Sequence, residues 1–162
     1  MRSGVIIGVD VGQARVGVAR CDADGIMAVP VTTLKRSRYG EDINALADIV
    51  TDYAADLVVV GLPRLMGGGA GEATRMAIDY AHELAGIISP PIRMVDERLT
   101  SVSAHRSLSE AGRSTRTHRS VVDQQAAVIM VEQALLTIRR TGSLPGIPLA
   151  DVSDAKEEAT GE

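Results

Sequence analysis

The sequence predicts an α/β domain built on a mixed five-stranded sheet, antiparallel in its first three strands and then alternating helix and strand, with helices on both faces. Two apolar runs and one change of period carry this expectation. VIIGVDV (5–11) and LVVVGLP (57–63) are near-continuous apolar stretches, the pattern of strands buried on both faces. Between them the spacing changes: residues 41–55 put Ile43, Leu46, Ala47, Ile49 and Val50 on one helical face. A length of 162 residues suits one core, and halving it would leave pieces too small to bury enough apolar surface.

The elements follow in order. After 5–11, Gly12 and QAR turn the chain back into VGVARCD (16–22), and DADG (22–25) is a hairpin signal leading into IMAVPVTTL (26–34). Pro30 assigns that third strand to an edge, where a missing N–H does least damage. The helix over 41–55, the strand 57–63, an amphipathic helix over 72–87 and the strand IRMVDE (92–97) come next, the last preceded by Pro90-Pro91. SVSAHRSLSEAG (101–112) predicts a short helix closed by Gly112. Residues 119–140 predict a long one, in which Ala126, Ala127 and Ala134 permit close packing on a sheet. This gives a domain over 1–142 in the layout of the ribonuclease H-like fold. Residues 143–162 read as a Gly/Pro-containing exit and a disordered acidic tail.

The net charge of −4 belongs to the tail, because residues 151–162 carry five acids and one Lys, leaving the body neutral. Fifteen of the 17 basic residues are Arg, which favours bidentate contacts to phosphate or carboxylate. A single Cys, Cys21, excludes an internal disulfide and a cysteine-rich zinc site. With three Tyr, no Phe and no Trp there is little surface for base stacking, so any nucleic acid is expected to be held mostly through its backbone. No signal peptide or membrane-spanning run is visible, and the expected location is the cytoplasm.

Four acids stand where acids are costly. Asp10 interrupts an apolar strand, Asp96 and Glu97 end the fifth strand, and Asp123 lies between Val121-Val122 and an Ala pair. If the strand ends and the last helix converge, three or four carboxylates meet and require a cation. Oxygen donors without His or Cys favour Mg²⁺ or Mn²⁺. Two such ions can activate a water and stabilise the leaving oxygen in phosphodiester cleavage. Each acid alone also admits a plainer role: Asp123 as a helix cap or ion-pair partner, Asp96-Glu97 as a strand terminus. Gly8, Gly12 and Gly17 permit close approach of backbone or phosphate, or serve as turn and bulge residues.

GVDVGQARVGVA (8–19), VVVGLP (58–63), VDERLTS (95–101) and DQQAAVIM (123–130), in that order and over about residues 4–140, resemble the YqgF/RuvX family. Its members are ribonuclease H-like proteins described as Holliday-junction resolvases and as pre-16S ribosomal RNA nucleases. The resemblance implies metal-holding, catalytic acids at Asp10, Glu97 and Asp123, with Asp96 able to share or replace the role of Glu97. It implies that Arg15 and Arg98 lie near the scissile phosphate or steady the acids. One stretch departs: after Gly-Leu-Pro the family usually carries an Asn-Met-Asp-Gly-Ser-like segment, and this chain reads RLMGGGAGEAT (64–74).

From Arg98 to Arg119 there are five Arg (Arg98, Arg106, Arg113, Arg116 and Arg119) and two His (His105 and His118) against the single acid Glu110. This basic, hydroxyl-rich stretch suits phosphate contacts, which position nucleic acid without reading sequence; KRSR (35–38) is a second candidate. The function expected is a metal-dependent endonuclease acting on structured nucleic acid, and the resemblance implies 5′-end maturation of pre-16S ribosomal RNA as its task. The alternatives are a Holliday junction resolvase acting on branched DNA as a homodimer and a non-catalytic nucleic-acid-binding module. GVDVGQARVGVA also resembles the first phosphate loop of actin-like ATPases, but those clasp ATP between two such domains and this chain has one.

Overall fold

The computed structural model describes residues 4–64, 70–97 and 116–152, with the side chains of 116–123 outside the described set. Strands β1 (Ile6–Val11), β2 (Arg15–Cys21) and β3 (Ala28–Lys35) form the expected antiparallel meander. Helix α1 (Glu41–Asp52), strand β4 (Leu57–Leu62), helix α2 (Glu72–Ala85) and strand β5 (Ile92–Asp96) then alternate, and the long helix α3 spans Arg116–Thr141. The sheet has six strands rather than five, in the order β3-β2-β1-β4-β5-β6. The sixth is the two-residue β6 (Ile147–Pro148), which lies antiparallel on β5. Beyond it, Leu149 and Val152 are buried in the core, and Arg93 donates to the carbonyls of Pro145 and Gly146 at 2.9 and 2.8 Å. So short a strand, holding a proline, carries none of the period-two signal by which longer strands are read.

Pro30 does sit on an edge strand, opposite Ala19 and beside a register shift at Val18/Ala19. The predicted helix 101–112, the loop glycines 67–69 and the tail 153–162 lie outside the described residues. Among the described residues no helix is long and apolar enough to cross a membrane.

The sheet divides two cores. Ile7, Val9 and Val11 of β1 join Val58, Val60 and Leu62 of β4 beneath α1 and α2, whose apolar stripes run Ile43, Leu46, Val50 and Ala77, Ile78, Ala81, Leu84. On the opposite face Ile6, Ala19, Leu57, Val59 and Val95 meet Ala126, Ala127, Met130, Val131 and Ala134 of α3. The alanine stripe lets α3 descend onto β1. A methyl group added at Gly8 would stand 2.9 Å from the Ala127 carbonyl oxygen and 2.6 Å from the Val131 side chain. Helix and strand thus touch backbone to backbone at Gly8, which fixes the height of α3 above everything further along β1.

Candidate active site

Strand alternation puts Asp10 on the α3 face, two residues beyond Gly8. Its neighbour on β2 is Gly17, and one step past the Val9–Val60 pair its neighbour on β4 is Gly61. A carboxylate in the middle of a sheet thus stands between two residues that have no side chain, which clears the space around it. The missing side chain at Gly61 is replaced by another acid. A methyl group built there would lie 2.5 Å from Glu97 Oε1 and 2.8 Å from Met130 Sδ. The Glu97 carboxylate therefore lies over the strand beside Asp10, between sheet and α3. Both acids are buried, Asp10 to 2% and Glu97 to 4% of full exposure.

Asp96 and Glu97 separate by parity. Asp96 pairs with Leu62 across the ladder, on the face of α1 and α2, and its carboxylate is 3.7 Å from the Arg64 guanidinium. It points away from Asp10. β5 is not beside β1, since β4 intervenes, and the length of the glutamate side chain is what spans β4. Asp123 is on α3, four residues before Ala127, with its side chain outside the described set. The next residue, Gln124, donates from Nε2 to Thr33 Oγ1 at 2.9 Å, and Thr33 is opposite Gly17 in the row that holds Asp10. The first turns of α3 thus run toward the Asp10 end of the sheet.

Among the described residues no third His, Cys, Asp or Glu completes a metal-holding trio with these two acids. The donor chemistry of these acids nonetheless suits a hard divalent cation: carboxylate oxygens, with no thiolate or imidazole grouped with them among the described residues. Two like charges brought together out of water also favour an ion of opposite sign between them.

Arg15 opens β2 on the same face as Gly17 and Asp10, and its carbonyl accepts from Gly12 N–H at 2.8 Å. Arg98, Arg106 and Arg113 are outside the described residues; Arg116 and Arg119 lie on the first turn of α3 without described side chains.

Sequence reasoning missed a buried polar brace beneath the turn that follows Asp10. Asp42, 4% exposed, accepts from Ser37 N–H at 3.1 Å and from the Tyr80 hydroxyl at 3.0 Å, with Arg36 Nε at 3.8 Å. Arg36 also donates from Nη1 to the Gly12 carbonyl at 3.1 Å, and its backbone N–H donates to the Ala14 carbonyl at 2.9 Å. Asp42 holds the position of an ordinary first-turn helix acid, and only the fold brings Tyr80 to it.

Burial, and after it the negative charge of Asp42, pushes the Tyr80 hydroxyl well above its ordinary value. Burial likewise pushes the Cys21 thiol up; its sulfur accepts from Ile6 N–H at 3.1 Å. Groups whose values are raised on folding stabilise below their unfolded values, and that stability is lost as pH rises above them. The expected result is a stability that declines above about pH 9 and more steeply above about pH 10. Tyr80→Phe is expected to cost about 1 kcal/mol at neutral pH and to flatten the steeper limb, as denaturant melts across pH 8–11 will show.

Comparison with solved structures gives the class. Thermus thermophilus RuvC in complex with Holliday junction substrate superposes with a TM-score of 0.56, covering 90% of this chain and 99% of that chain at 14% identity. A T. thermophilus RuvC structure gives 0.53, covering 89% and 99% at 13% identity. The fold is thus that of RuvC-like proteins of the ribonuclease H type. Within that class, the model of the RuvX Holliday junction resolvase family matches residues 4–137, and the chain belongs to this family. A Frankia casuarinae protein is 53% identical over 145 residues, covering 88% of this chain and 71% of the relative. One from Streptomyces avermitilis is 46% identical over 151 residues, covering 90% and 94%. Both are provisionally named pre-16S rRNA nuclease.

Proposed function

We propose that this chain is a divalent-metal-dependent endonuclease that hydrolyses a phosphodiester bond in structured RNA, with 5′-end maturation of pre-16S ribosomal RNA as its reaction. The observation that carries the proposal is the pair of buried carboxylates, Asp10 and Glu97, on a sheet face cleared by Gly17 and Gly61, with Glu97 Oε1 over Gly61, in a chain whose relatives bear that name.

Asp10, Glu97 and Asp123 would hold Mg²⁺ or Mn²⁺, which when bound acidifies water and neutralises charge building on the phosphate. The protein's own residues do the rest. The carboxylates orient the attacking water, and Arg15 and Arg98 steady the phosphate oxygens. Arg106, Arg113, Arg116 and Arg119 hold flanking phosphates without reading sequence. The attacking water gives up a proton to solvent as its oxygen bonds to phosphorus, the bond to the leaving oxygen breaks, and that oxygen leaves with the electron pair and takes up a proton from solvent. Asp96, paired with Arg64 on the other face, has no part in this.

The description of the family favours a second reading, resolution of a four-way DNA junction, for which two copies would act as a homodimer. One experiment decides between them: the purified chain with a pre-16S RNA fragment or a four-way DNA junction, under the same metal and salt conditions. RNA cleavage that needs Mg²⁺ or Mn²⁺ and stops with EDTA is the expected result. Paired symmetric cuts in the junction with intact RNA would replace the first reading by the second. Cleavage of neither would leave a binding module.

A further inference from the structure

The chain's three tyrosine rings have very different surroundings. Tyr80 is buried on Asp42, and Tyr53 lies under the Arg20 guanidinium, 4.6 Å from its ring centre. Tyr39 stands in water, 81% exposed, in the turn between β3 and α1.

The position of that turn gives the exposure its meaning. β3 ends at Lys35, whose partner across the ladder is Arg15. Lys35, Arg15 and Gly12 thus form the row two residues outside the one holding Thr33, Gly17 and Asp10. By strand spacing and rise, the Lys35 backbone is on the order of 12 Å from that of Asp10. Lys35, Arg38 and Tyr39 are all exposed and sit together at this end of the sheet.

The turn is also held firmly. Gly40, at φ 79°, donates to the Ser37 carbonyl at 3.3 Å, and Tyr39 N–H donates to Ser37 Oγ at 3.1 Å. Asp42 holds Ser37 from below, and Arg36 ties the whole to Gly12 and Ala14, the turn that follows Asp10. None of these bonds uses the Tyr39 ring. The ring is therefore presented on a rigid base that is joined to the acid-bearing strand.

We infer that the Lys35–Gly40 turn is the docking edge for an unpaired nucleotide flanking the cleaved bond, with Tyr39 as the ring on which its base stacks and Lys35 and Arg38 as phosphate contacts. The inference rests on the nuclease reading and deepens it. An exposed ring flanked by cations fits a single strand, whose bases offer open faces and whose backbone supplies charge; a duplex hides those faces. It adds one stacking contact to a binding mode expected to be mostly through the backbone.

The test uses the full chain in EDTA, so that nothing is cut, with an RNA hairpin bearing single-stranded extensions at both ends and the same hairpin made blunt. Tyr39→Ala is expected to bind the extended RNA about tenfold more weakly and the blunt one as the parent does. Tyr39→Phe is expected to bind both like the parent, and 2-aminopurine placed in the extensions to be quenched by the parent and by Tyr39→Phe but not by Tyr39→Ala. Thermal melts should match, since the ring is exposed. Equal affinity of Tyr39→Ala and parent for the extended RNA, or an equal loss on both RNAs, overturns the inference and leaves the nuclease reading standing. A parent that binds neither RNA, and cuts none when metal is restored, brings down both.

Discussion

Asp10→Asn is expected to lower the cleavage rate by roughly a thousandfold or more, since carboxylates that act as a unit fail together when one is removed. The fold should survive. Asn is nearly the same size, and the flanking positions, Gly17 and Gly61, have no side chains for it to clash with. In EDTA the variant is expected to be at least as stable as the parent, because one of two neighbouring buried charges is gone. Mg²⁺ or Mn²⁺ should then raise the melting temperature of the parent and fail to raise that of the variant, as binding to the folded state alone requires. A variant that cleaves at the parental rate would remove Asp10 from the mechanism, and equal metal stabilisation would remove it from the metal site.

Gly61→Ala should damage activity out of proportion to stability, and Gly8→Ala should do the reverse. At Gly61 the new methyl meets Glu97 Oε1 at 2.5 Å and Met130 Sδ at 2.8 Å, both of them ends of flexible side chains. They can swing aside, so the cost in stability is expected to be about 1 kcal/mol. The carboxylate that swings, however, is the one placed beside Asp10. A displacement on the order of 1 Å at such a group is worth about a hundredfold in rate. At Gly8 the obstacle is the Ala127 backbone carbonyl at 2.9 Å, which cannot rotate away. There α3 must lift from the sheet, costing about 3 kcal/mol. Denaturant melts and cleavage rates measured on the two variants separate the effects, and a Gly61→Ala protein that cuts normally would show that the position of Glu97 does not matter.

The contrast between these glycines shows where sequence reasoning stops. Asp10 stood out because an acid in VIIGVDV contradicts its own strand, and the alanines of α3 announced a close approach. Gly17 reads as a point of close approach or a bulge and Gly61 as part of a strand end, and neither reading points to a neighbouring acid. A glycine in a strand reads as a bulge or a strand end, and its meaning here comes from the register that sets both beside Asp10. The choice between Asp96 and Glu97 was open for the same reason. Adjacent residues face opposite sides of a sheet, and which side carries α3 depends on contacts between segments far apart in sequence. Tyr80 and Asp42, 38 residues apart, illustrate the limit again, since burial made them partners and no local pattern linked them.

The two ends of the strand order have one thing in common. β3 carries Pro30 and a break in register; β5 is covered by β6, two residues long and half proline. A bare edge with an unbroken row of donors and acceptors invites any other strand to continue it, which is how soluble sheets begin to aggregate. Prolines at both margins interrupt that row, because each removes an N–H. Self-association that extended the sheet from molecule to molecule is thereby disfavoured. In a symmetric pair of these molecules, contact through helices or loops is favoured over contact through the sheet margins.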